Sequence, residues 1–126
     1  MAIPQPNKIR ESELQLDIVQ GLLPDSKNEY YVALALDQLG IEYRFQVPLG
    51  VFGVRGSQVI DFVVYNPHPV AVFIQGEYWH DRKSESEDTL KQAAAERYYG
   101  RGNVVLLMGE ETDTPEKALE VVKEKL

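Results

Sequence analysis

Cysteine is absent from this 126-residue chain. Disulfides and thiolate-bound zinc are excluded with it. Apolar runs near the ~20 residues that a membrane-spanning helix needs are absent too. The opening segment, 1-MAIPQPNKIRESELQLD-17, lacks the basic-then-apolar order of a secretory signal, so the cytoplasm is the expected compartment. Positive charge is scarce: 13 Lys and Arg stand against 20 Asp and Glu, for a net charge of -7. That balance argues against nonspecific coating of nucleic acid, which Lys and Arg drive. It leaves room for an enzyme whose carboxylates are offset by a bound divalent cation.

What is there reads as one α/β domain. Residues 1–25 form an N-terminal arm in which 14-LQLDIVQGLL-23 could make a helical turn or two, and 26–126 form the domain. A helix is predicted over 26–40, capped by Ser26, stopped by Gly40, and with Tyr31, Leu34, Ala35 and Leu39 inward. A strand follows over 41–49, with Ile41, Tyr43, Phe45 and Val47 on one face, and then a loop with three glycines over 50–57. The β-branched run 58-QVIDFVVY-65 and the apolar run 70-VAVFIQGEYW-79 flank the turn 66-NPHP-69. Residues 85–99 read as a helix with Leu90, Ala94 and Tyr98 inward. A short strand over 103–109 and a helix over 115–126, capped by Thr114, complete the order. Three strands in sequence and a helical crossover to a fourth imply a mixed sheet flanked by helices.

Asp61 interrupts an otherwise apolar strand, where an unpaired buried carboxylate costs several kcal/mol or takes up a proton. If the hairpin turns near Pro67 or His68, Asp61 falls opposite Ile74 or Gln75 and shares a face with Gln75 and Glu77. Its partner would be a basic side chain, or a metal held with Gln75, Glu77 and the Ile74 carbonyl; a solvent-facing Asp61 is the plain alternative. Mg²⁺ accepts such a set of oxygen donors. His80 is a candidate proton acceptor that Asp81 could orient. His68, in a proline-rich turn, reads as exposed. Glu29 fits a capping box with Ser26.

The ordered set of Glu29, Asp61 and 75-QGEYWHD-81 on an α-βββ-α-β pattern resembles the PD-(D/E)XK nuclease superfamily over roughly residues 26–109. Gly76, Trp79 and His80 resemble the third-strand pattern of the very-short-patch repair endonucleases, and Glu29, Asp61, His80 and Asp81 resemble the related EDxHD group linked to phage homing endonucleases. The resemblance implies a single-domain restriction-endonuclease-like fold with a mixed four-stranded central sheet and an added C-terminal helix. It also implies an Mg²⁺- or Mn²⁺-dependent DNA endonuclease in a bacterial, archaeal or phage-infected cell. Asp61 would be the principal metal ligand, Ile74 would offer its carbonyl, His80 would act on the attacking water, and Glu29 would hold water around the metal. The sequence departs from these relatives at three points. Gln75 replaces a His, Glu77 replaces a zinc-ligand Cys so that no zinc is expected, and no Lys follows in E-x-K spacing.

Arg55, Lys91, Arg97 and Arg101 are candidate phosphate contacts. Without a separate DNA-reading domain, specificity would need a homodimer, a reading partner or a fused domain. The arm segment 14–23 could serve a dimer interface. The alternatives are a catalytically silent nuclease fold that binds DNA or protein, and a structural assembly protein.

Overall fold

The structure, a computed structural model, describes residues 18–48, 59–75 and 82–126, with 82–88 described as helix backbone. The elements are α1 (Lys27–Leu39), β1 (Glu42–Pro48), β2 (Val59–Tyr65), β3 (Pro69–Gln75), α2 (Arg82–Tyr99), β4 (Val104–Met108) and α3 (Pro115–Lys125). One four-stranded sheet runs in the order β1-β2-β3-β4. The first two pairings are antiparallel and β3–β4 is parallel, as a crossover through α2 requires. No helix among the described residues is long and apolar enough to cross a membrane.

The local signals at the helix ends act as their chemistry predicts. Ser26 Oγ accepts from Glu29 N, Gly40 takes the left-handed conformation at φ 70°, and Thr114 Oγ1 accepts from Lys117 N with Pro115 at the first helical position. Asn28 then sets where α1 lies. Its Nδ2 donates to the Gly109 carbonyl and to Thr112 Oγ1, both at 2.9 Å, beside the C-terminal end of β4. The face below Asn28 therefore looks inward, burying Val32, Ala35 and Leu36. Leu34, expected inward, is exposed, and Tyr31 is half-buried.

Helices cover both faces of the sheet. On one, α1 and α3 pack Val32, Leu36, Ala118 and Val122 against Tyr43, Phe45, Phe62, Val64, Val72 and Leu107. The Phe62 ring lies 5.6 Å from Tyr43 and 5.0 Å from Phe45. On the other, Ala95 of α2 meets Ile60, Val63, Ala71 and Phe73. A helix laid close on a sheet needs a small residue at nearest approach, so α2 turns its Lys91-Ala95-Tyr99 line toward the sheet. Leu90 and Tyr98, expected inward, are exposed in consequence.

Two further expectations change. Residues 18–23 make no helical turn; Val19 and Leu22 exchange both backbone hydrogen bonds across Gln20 and Gly21, which sit at φ 49° and 82°. Positive φ at both central residues marks the two-residue turn of a tight hairpin. Gln20 then spans the free edge of β1, donating to the Tyr43 carbonyl at 2.6 Å and accepting from Phe45 N at 3.0 Å. The β2–β3 hairpin closes with Tyr65 across from Pro69, so the turn centres on Pro67. Continued, that register sets Asp61 across from Phe73, not from Ile74 or Gln75.

Candidate active site

The site grows out of a break in the sheet. Phe45 pairs with Phe62 and Val47 with Ile60, but Gln46 and Asp61 between them do not pair. Gln46 has φ 54°, a left-handed conformation that costs an L-residue of this kind about 1 kcal/mol or more. Beyond the break, Val47 and Ile60 pack into the α2-side cluster, whereas Tyr43, Phe45 and Phe62 pack under α1 and α3. Val47 thus leaves the face predicted for it because the backbone turns at Gln46.

The β2–β3 ladder opens at the same place. Its last pair is Phe62 with Val72, and the next interstrand contact is made by a side chain: Ile74 N donates to Asp61 Oδ2 at 2.8 Å. Asp61 is neither a solvent-facing surface group nor a core intruder. Its carboxylate accepts from a backbone N–H, as a ladder carbonyl would, at the point where the β2–β3 pairing stops. In an extended strand a residue's N–H and carbonyl point to the same edge, so the Ile74 carbonyl oxygen also looks toward this gap. Together with Phe73, Gln75, Lys91, Gln92 and Leu106, Asp61 lines a small cleft.

Glu29 reaches the same end of the sheet from α1. It is 93% buried, being only 7% exposed. Its Oε1 accepts from Asp25 N at 3.2 Å and from Gln46 Nε2 at 3.3 Å. The expected capping box is therefore half formed: the Ser26 side chain caps the helix, while the Glu29 carboxyl reaches past Ser26 to the preceding residue. Burial, and then the charge of Asp61, push the Glu29 carboxyl up to about 7; the bonds from Asp25 and Gln46 pull the other way. Two carboxylates in each other's field, one of them short of positive charge, make a hard-oxygen donor set suited to Mg²⁺ or Mn²⁺. Among the described residues no group of three or more acidic or histidine side chains gathers. The residues in hand amount to Asp61, Glu29 and the Ile74 carbonyl, oxygen donors of the type that a cation keeping several waters takes.

Lys91 is the addition that reading the strands alone does not supply. It lies half-buried with its ammonium 5.9 Å from the centre of the Phe73 ring, on the wall of the cleft opposite β2. A lysine is thus present beside Asp61 and Gln75 although none follows β3 in E-x-K spacing. The signal for it was the four-residue spacing from Ala95, which puts both on one helical face. Gln46 gave no comparable signal, since nothing in a strand pattern marks a glutamine for a left-handed backbone.

Of the other candidates, Arg97 and Arg101 are exposed on and just after α2, and His68 is exposed in the hairpin turn. Arg55, Glu77, His80 and Asp81 lie outside the described residues, as does the glycine loop 50–57. No family model, characterised protein or solved structure matches the chain, so function rests on the geometry of this site.

Proposed function

We propose that this protein is a metal-dependent endonuclease that hydrolyses phosphodiester bonds in DNA, of the kind its sequence resembles. The observation that carries the reading is the Asp61 carboxylate at the point where β2 and β3 part, with buried Glu29 inside its field and Lys91 across the cleft. A purely structural aspartate would have no use for a second, buried carboxyl group within its field that takes up a proton near neutral pH.

Asp61, the Ile74 carbonyl and Glu29 would hold Mg²⁺ or Mn²⁺, with Glu77 as a further donor from the segment after β3. Such a cation supplies charge neutralisation at the phosphoryl oxygens and makes water more acidic. The chain's own groups do the rest. Lys91, which lines the same cleft as Asp61, would offer an ammonium to the anionic phosphate. Water forms the new P–O bond as the bond to the leaving sugar oxygen breaks. The proton lost by water passes to a base, for which His80 is the candidate, and the leaving oxygen is protonated from solvent or a neighbouring acid. Arg97 and Arg101 would meet the DNA backbone beyond the cleft, with Arg55 from the glycine loop. A homodimer or a DNA-reading partner would direct the cut.

The test is nicking of supercoiled plasmid with Mn²⁺ by the parent protein and by Asp61→Asn and Lys91→Ala, with melting curves for each. Metal-dependent nicking that both substitutions reduce at unchanged melting temperature supports the enzyme. A parent that neither nicks nor shifts its melting with Mn²⁺ sinks it and leaves a silent DNA- or protein-binding module.

A further inference from the structure

Three observations meet at a residue to which no role has been assigned. Within the described strands Gln46 alone has a positive φ. It stands at the one position where the β1–β2 register skips a pair, facing Asp61. Its side-chain amide donates to Glu29 Oε1, joining β1 to the first turn of α1 across 17 residues of sequence. Glycine would take this backbone with less strain, but it carries no amide. A glutamine at a position that favours glycine implies that the side chain is what the position requires.

We propose that Gln46 is a positioning residue for the candidate active site: its backbone opens the ladder beside Asp61, and its amide holds the Glu29 carboxyl toward that opening. The inference rests on the reading of Asp61 and Glu29 as cation-holding groups. The two halves of the role are linked. A regular extended residue at 46 would send its side chain to one face of the sheet and keep the pair with Asp61. The left-handed turn releases Asp61 from that pairing and brings the amide to α1. Asp25 N is the second donor to the same Glu29 oxygen, so the carboxyl is gripped from its own helix start and from the neighbouring strand.

Gln46→Gly separates the parts, because it keeps the left-handed backbone and removes the amide. Gln46→Ala removes the amide and keeps the backbone cost. Isothermal titration with Mn²⁺ alone, at one pH, should give binding about five-fold weaker in both variants, the factor one ordinary hydrogen bond supplies. Gln46→Gly should melt at or above the parent temperature and Gln46→Ala below Gln46→Gly, so weaker metal binding and stability part company, which a merely structural residue would not allow. Without metal, amide exchange at Asp25 should quicken several-fold in both variants while exchange at buried Val64 in Gln46→Gly does not. Parent-like Mn²⁺ affinity in Gln46→Gly, or unchanged exchange at Asp25, overturns the proposal. A parent that binds no Mn²⁺ removes the nuclease reading, and exchange at Asp25 then still decides whether Gln46 holds Glu29.

Discussion

The β2–β3 hairpin has two ends built on opposite rules. Toward its turn, four successive pairs from Phe62–Val72 to Tyr65–Pro69 close in register, over a core of Phe62, Val64 and Val72. At the other end the ladder stops, a carboxylate replaces a backbone acceptor, and a neighbouring strand adopts a conformation that strands avoid. The closed end follows apolar burial and pairing, and it holds the fold. The open end breaks the pairing and charge rules within a few residues, while the rest of the sheet bears the cost. Such concentration of violations is expected where a protein does chemistry.

The contrast is open to direct attack. The largest effect belongs to the closed end: Phe62→Ala should lose about 3–5 kcal/mol of stability in urea unfolding, because a fully buried ring touching Tyr43 and Phe45 leaves a cavity. At the open end Asp61→Ala should cut Mn²⁺-dependent nicking by on the order of 10² or more while urea unfolding loses only about 1 kcal/mol, the bond that Ile74 N gives up. Equal stability losses at Phe62 and Asp61 would erase the distinction between the ends.

A pH series sharpens the comparison. The Glu29 carboxyl stands at about 7 in the fold against an ordinary 4.5, so the folded chain binds this proton more tightly than the unfolded one. Stability should therefore fall as pH rises from about 4.5 to about 7, by at most ~3 kcal/mol, and Glu29→Gln should flatten that slope. Asp61→Ala should shrink it as well, since the Asp61 charge is part of the cause. Mn²⁺ affinity should rise over the same pH interval, because the cation competes with a proton. The smallest change is at the turn. Asn66→Ala loses the bond from Nδ2 to the Leu126 carbonyl, and melting should register about 0.5–1 kcal/mol, with nicking unaffected.

Much of the frame was legible. Ser26, Gly40, Thr114 and Pro115 mark helix ends by chemistry that acts within one turn, so neighbouring residues suffice to read them. Asp61 stood out because a charge in a β-branched run has few cheap explanations. In the segment 14–23, of which 14–17 lie outside the described residues, 18–23 misled, since Leu and Ile spacing suits a helix as readily as the arms of a turn, and Gln20-Gly21 settles it locally. On α2 the apolar residues Leu90 and Tyr98 invited burial, yet the sheet below accepts Ala95, which only packing distance decides. Glu29 looked like the second half of a capping box, yet only the Ser26 half forms; the Glu29 carboxyl's surroundings depend on strands that lie 17 and 32 positions away in the chain.

By itself the sequence determined the order of elements, the cap residues, the mixed sheet and the oddity of Asp61, because each follows from periodicity or from contacts within a few residues. Only the tertiary structure decided that Gln46 breaks the ladder, that Lys91 turns inward to the cleft, and that Glu29 and Asp61 share an electric field. Strand pairing and helix rotation are set by packing across the whole sheet, and charges couple through space, so neither is written in any short stretch of the chain.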